Sequence, residues 1–217
     1  MKKIVFLGCE NSHSKQFLTY IKEDKKYKDI EVVGCYSIED KAKNDLADTF
    51  GIKALSKFDE ANDKVKGVIV TARDGNFHFK FVKPYLKKGM TVFVDKPITI
   101  SEEDAVALAK LAKKNGVKLL GGSSLIFDEN IKKFREQNFK EKSFGGFVRA
   151  PISMNNPYGG FYFYSEHLVD MVCYIWGFYP KSVIARDYKD HISITFKYQD
   201  YDVEGIFGKD NYVYYIK

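Results

Sequence analysis

The residues with the clearest chemical capacity lie in Val92-Phe93-Val94-Asp95-Lys96-Pro97, an apolar run that ends on a lysine and is stopped by proline. A lysine at the carboxyl end of a parallel strand stands on the rim where α/β sheets bind ligands. Pro97 lacks a backbone donor and fixes its own φ, so Lys96 is presented from a rigid corner. An ammonium held there can be desolvated and tuned to exchange a proton with a substrate hydroxyl. The plain alternative is a surface lysine capping a strand. His167 is the second candidate, with Asp170 three residues on and on the same helix face, where it could orient the ring or hold a substrate hydroxyl. A histidine on an apolar helix is as readily a hydrogen-bonded core residue. His13 is placed for capping or ligand contact, His78 for packing at a helix start, and His191 for a turn. A metal site built from His167, Asp170 and Glu166 lacks a third ligand on the shared face, so no metal is expected.

The elements that must position these groups alternate through the first half of the chain. Strand patterns run over 3–7, 30–36, 52–55, 67–72, 92–95 and 117–120, and helical patterns over 14–23, 37–51, 77–88 and 101–115. Ser37 and Asp40 are spaced as a capping box, as are Ser101 and Asp104. Pro84 predicts a kink or restart within its helix. Such alternation argues for βαβ units and a doubly wound parallel sheet. Right-handed crossovers then bring Gly8, Tyr36, Ala72 and Asp95 to one edge, the expected ligand site. The second half is strand-rich, with helices over 128–137 and 162–176 and strand patterns over 147–154, 182–187, 192–198, 203–207 and 212–216. The fold class is α/β: a Rossmann-type domain, 1–120, followed by a smaller α+β domain, 121–217, with a mostly antiparallel sheet. The tyrosine-rich pattern 212–216 has no closing segment, so a short second domain and a homo-oligomer through the C-terminal sheet are expected.

Composition narrows the function. The 217 residues are 45% hydrophobic, enough for one large or two small cores. Of 35 basic residues only Arg73, Arg135, Arg149 and Arg186 are arginine, and the lysines are dispersed, unlike a nucleic-acid-binding face. Neither a membrane span nor a signal peptide is visible. Cys9, Cys35 and Cys173 read as reduced core thiols of a cytoplasmic protein.

The order of these motifs resembles the glucose–fructose oxidoreductase / inositol dehydrogenase (Gfo/Idh/MocA) family. The likeness rests on Gly67-Val68-Ile69-Val70-Thr71-Ala72 followed by Asn76-Phe77-His78, on Val94-Asp95-Lys96-Pro97 in place of a Glu-Lys-Pro motif, and on Gly159-Gly160 before His167-Leu168-Val169-Asp170 and Gly177. It implies an NAD- or NADP-dependent oxidoreductase of sugars or polyols. Lys96 would transfer the proton, His167 would be the second catalytic group, and Asp170 and Tyr164 would contact substrate. The nucleotide would lie along Gly8, Asn11, Ser12, His13, Tyr36 and Ser37, and along Thr71, Ala72, Asn76, His78 and Asp95.

The chain departs from that pattern at several positions. Glu10 and His13 replace glycines that let the backbone approach a pyrophosphate, and a carboxylate at position 10 would repel phosphate unless turned away. The α-helix N-terminus beyond it still favours an anion. Tyr36-Ser37 stands where an acid normally holds the adenosine ribose. Lys41 and Lys43 lie downstream without arginine, so NAD and NADP both stay open. Phe163 stands where an aspartate is expected four residues before His167. Gly8-Cys9-Glu10-Asn11-Ser12-His13 and Phe163-Tyr164-Ser165-Glu166-His167 are also similar to a divergent branch of the family. The alternative to an enzyme is a non-catalytic homologue that acts as a ligand-binding, regulatory or assembly protein.

Overall fold

The computed structural model describes residues 1–141, 145–209 and 211–217. They form two compact units, Met1–Gly121 and Gly122–Lys217. The first contains β1 (Lys2–Leu7), β2 (Ile30–Tyr36), β3 (Lys53–Ala54), β4 (Gly67–Val70), β5 (Thr91–Val94) and β6 (Leu119–Gly121). They make one parallel sheet in the order β3-β2-β1-β4-β5-β6. The helices are α1 (Ser12–Glu23), α2 (Asp40–Phe50), α3 (His78–Lys87) and α4 (Glu102–Lys114).

β1 shows why its sequence is continuously apolar. Val5, Phe6 and Leu7 are all inaccessible to solvent, because a doubly covered parallel strand buries both faces. Val5 and Leu7 join the core that α3 and α4 cover, with Val68, Val70, Val92 and Val94. Phe6 points the other way, into a core with Cys35 and with Leu18 of α1 and Leu46 of α2. Strand order reverses between β1 and β4, which opens a crevice at their carboxyl ends.

One local expectation is corrected and another is narrowed. Ser37 does not cap α2: the N-cap is Glu39, with no side-chain cap bond, and the Ser37 hydroxyl donates to Glu10. The helix α3 passes through Pro84 without a restart. A helix-interior proline costs about 3 kcal/mol or more, but Phe81, Val82, Tyr85 and Leu86 around it are all buried, and each contributes roughly 1.5–3 kcal/mol.

The second unit contains α5 (Glu129–Glu141), β7 (Gly145–Ile152), α6 (Tyr162–Trp176), β8 (Ser182–Asp187), β9 (His191–Lys197), β10 (Asp202–Lys209) and β11 (Tyr215–Ile216). The sheet order is β11-β7-β10-β9-β8. Among the described residues of this sheet only β7 and β10 run parallel; the other pairs are antiparallel. Ile192, Ile194 and Phe196 of β9 alternate onto the core with Leu168, Met171, Val172 and Ile175 of α6. Of the strand expected over 212–216, only Tyr215 and Ile216 pair, with Arg149 and Val148 of β7. Tyr212 and Tyr214 turn their rings to α6 instead. Among the described residues no helix is long and apolar enough to cross a membrane.

Candidate functional site

The turn after β1 is built around Gly8. Its φ is +81°, and an added Cβ would lie 2.2 Å from the Ala72 backbone nitrogen. Only glycine lets the first turn lie this close to the end of β4. The Gly8 N–H donates to the Tyr36 carbonyl at 2.7 Å, and the buried Thr71 hydroxyl donates to the Gly8 carbonyl at 2.9 Å. Three neighbouring strand ends are thereby fastened to one turn.

Glu10 completes this fastening. Its carboxylate accepts from the Ser37 hydroxyl and from the Arg73 backbone N–H, the latter at 3.0 Å. The Arg73 guanidinium donates to the Glu10 carbonyl. The acid is therefore drawn towards the ends of β2 and β4. Asn11 caps α1, accepting from the His13 backbone N–H at 3.2 Å, and Ser12 stands exposed in the first turn. His13 Nδ1 lies 2.6 Å from Asp95 Oδ2, and Asn11 Nδ2 donates to the same oxygen at 3.4 Å. The hydrogen bond to Asp95 raises the pKa of His13 above its ordinary value; partial burial and Lys96 oppose it.

Lys96 leaves this edge through a cis peptide bond to Pro97. His78 is fully buried behind it. Its Nδ1 lies 2.6 Å from the Pro97 carbonyl and its Nε2 lies 2.8 Å from the Ala72 carbonyl. The lysine corner and the end of β4 thus share one imidazole. Asn76 is exposed and bound to Asp74 within its own turn.

In the second unit, His167 is 9% exposed and its Nδ1 lies 2.6 Å from the Ser123 hydroxyl. The Ser123 backbone N–H donates to Asp170 Oδ2, also at 2.6 Å. Both α6 side chains are therefore anchored on Ser123. Burial raises the pKa of Asp170, and the Ser123 N–H opposes that shift. Gly122 makes the approach possible: its φ is +107°, and an added Cβ would lie 2.8 Å from the Asp170 carboxylate. Tyr164 lies beside His167 with ring centroids 6.2 Å apart, and Tyr214 meets the imidazole edge-on at 5.8 Å.

The first unit thus brings Gly8, Asn11, Ser12, His13, Ser37, Thr71, Ala72, Asp95 and Lys96 to one sheet edge. Tyr36 reaches it through its carbonyl, its ring being packed on Phe58 and Phe81. His78, with both ring nitrogens engaged inside the core, can serve the edge only by holding the backbone. Sequence reading missed the roles of Arg73 and Ser123. The Gly121-Gly122-Ser123 run was a signal for the second, because paired glycines permit close backbone approach. Arg73 had none, since its partner is the glutamate that breaks the glycine pattern. Among the described residues, no group of three or more His, Cys, Asp or Glu could hold a metal.

The model of the Gfo/Idh/MocA oxidoreductase family, NAD-binding Rossmann fold, matches residues 2–123, and the chain belongs to that family. Apo scyllo-inositol dehydrogenase from Lactobacillus casei has a similar fold, with a TM-score of 0.82 at 15% identity over 100% of this chain and 71% of that one. An NAD-binding protein from Listeria innocua gives 0.78 at 19% identity over 100% and 70%. An uncharacterized oxidoreductase from Streptococcus pneumoniae serotype 4 is 31% identical over 93 residues, which are 42% of this chain and 25% of that protein. The chain spans a quarter of the length of this curated relative.

The first unit fits a dinucleotide. Gly8 lets the turn after β1 close onto the end of β4, α1 directs its N-terminus to the same edge, and the Glu10 carboxylate is drawn to Ser37 and Arg73.

Proposed function

We propose that the chain is an NAD(P)-dependent oxidoreductase that moves a hydride to or from a carbinol or keto carbon of a sugar- or polyol-like substrate. Residues 1–120 are the nucleotide domain and 121–217 the substrate and oligomerisation domain. Lys96 takes or gives the hydroxyl proton, His167 assists it, and Asp170 and Tyr164 contact substrate hydroxyls. The observation that carries this reading is the corner at Lys96: β5 ends there, and the carbonyl of the following Pro97 is held by buried His78 at 2.6 Å. A rigidly presented amine on the ligand edge suits proton transfer. The nicotinamide, when bound, supplies or accepts the hydride. A half-buried carboxylate such as Asp170, hydrogen-bonded through one oxygen to Ser123, is suited to accept from a substrate hydroxyl.

Titration with NADH and NADPH, followed by nicotinamide fluorescence, tests the first step. Binding by at least one is expected below millimolar concentration. Turnover over a panel of inositols and sugars tests the second. Lys96→Ala should lower kcat at least about 100-fold, the scale of general acid–base catalysis, with nucleotide affinity nearly unchanged. Unaltered turnover removes Lys96 from the mechanism. One observation favours the non-catalytic reading: Phe163, where the family's aspartate would stand, is stacked edge-on against Tyr164 at 4.9 Å. Absence of binding by either nucleotide at millimolar concentration would establish that alternative.

A further inference from the structure

Resting on the nucleotide reading above, we infer that Glu10 receives the two hydroxyls of the adenosine ribose and makes this chain select NAD over NADP. In sheets of this order, an acid at the end of β2, about 20 residues beyond the first glycine, accepts from the ribose hydroxyl. This chain has Tyr36-Ser37 there. The Tyr36 ring is turned into the core against Phe58 and Phe81, and Ser37 is 2% exposed. The Ser37 hydroxyl nevertheless donates to Glu10 Oε2 and accepts from the Glu39 N–H at 3.1 Å. A carboxylate therefore stands at the end of β2 after all, delivered from the turn after β1.

Its hydrogen-bond capacity matches a vicinal diol. A carboxylate offers about four acceptor positions over its two oxygens. Ser37 uses one on Oε2, and the Arg73 backbone N–H uses one on Oε1 at 3.0 Å. Among the described residues each oxygen keeps one acceptor position, and a ribose presents two neighbouring hydroxyl donors. Both partners of the carboxylate are donors, so the group is held as an acceptor.

A 2′-phosphate would meet the reverse of what it needs. It carries negative charge and acceptor oxygens, and would face the carboxylate at hydrogen-bonding range. The two lysines that follow β2 have acidic partners of their own. Lys43 is paired with Asp40 and Lys41 with Asp45, each at 2.5 Å, and the Arg73 guanidinium donates to the Glu10 carbonyl. The residue that breaks the glycine fingerprint thus replaces the missing ribose acid.

The test is titration of the full chain with NADH and NADPH, as wild type and as Glu10→Gln, with folding checked by circular dichroism. Loss of a hydrogen bond to a charged group corresponds to roughly 10–100-fold in affinity. The wild type should bind NADH at least about tenfold more tightly than NADPH, and Glu10→Gln should narrow that ratio by a similar factor through weaker NADH and stronger NADPH binding. A purely structural role would weaken both nucleotides equally and leave the ratio unchanged, which overturns the inference alone. So does a wild type that binds both equally or prefers NADPH, and that measurement stands even if the variant fails to fold. Binding of neither nucleotide overturns the cofactor reading and this inference with it.

Discussion

His13 and Asp95 make a pH-sensitive contact at the carboxyl edge of the first sheet. The Asp95 hydrogen bond raises the pKa of His13, so the folded state holds that proton more tightly than the unfolded chain. The resulting stability is complete below the ordinary histidine value, about 6.5, and is lost as pH rises through the raised folded value. The His13 side chain is 39% exposed, so solvent screens the effect and it should be small. The urea midpoint of the wild type should therefore fall more between mildly acidic and mildly alkaline pH than that of His13→Asn. Parallel pH profiles for the two proteins would remove the contact from the stability balance. Gly8 makes a harder prediction. Its positive φ and the 2.2 Å approach of Ala72 leave no room for a methyl group, so Gly8→Ala should destabilise the first unit by more than about 3 kcal/mol or prevent its folding. A variant with wild-type urea stability would show that the turn relaxes freely.

At the scale of elements, His78 joins β4 to the turn after β5. An imidazole bearing one N–H donates to only one of the Ala72 and Pro97 carbonyls, so replacing it with alanine removes one buried hydrogen bond, a loss of about 1–3 kcal/mol. Urea unfolding of His78→Ala should show a drop of that order, and a shift under about 0.5 kcal/mol, the scale of a surface substitution, would sink the claim. The segment Gly122-Ser123 plays the corresponding part for α6, since its hydroxyl and N–H hold His167 and Asp170. Its importance was hard to read from the chain because 47 residues separate Ser123 from Asp170. Local pattern does report α6 itself, whose apolar residues recur at helical spacing and whose end is marked by Gly177. By contrast, Ser37 and Asp40 have the spacing of a capping box. A cap fails here because α2 starts only at Asp40, so the Ser37 hydroxyl accepts from the Glu39 N–H ahead of the helix while donating to a glutamate 27 positions upstream.

On the scale of the whole molecule, each unit has its own apolar core. The single tryptophan, Trp176, is buried in the second unit, so its fluorescence follows that core alone. NADH at 100 times its Kd should stabilise the nucleotide domain by about 2.7 kcal/mol. We expect the thermal midpoint followed by circular dichroism to rise more than the midpoint followed by Trp176. Equal shifts by both probes would mean that the two units unfold as one.

The succession of elements, the doubly covered parallel sheet and the Lys96-Pro97 corner could be read along the chain. Each is written in neighbouring residues: continuous apolar strands, helical periodicity, glycine and proline at the breaks. What Glu10, Ser37, Arg73 and Ser123 do became legible once the chain was folded. Their partners are distant in sequence, and a polar side chain declares its role only when folding withdraws it from water and leaves it one donor or acceptor to meet. Glu10 spoils a glycine motif when read along the chain. Between the ends of β2 and β4 it is a carboxylate held by two donors, and among the described residues an acceptor position remains on each oxygen.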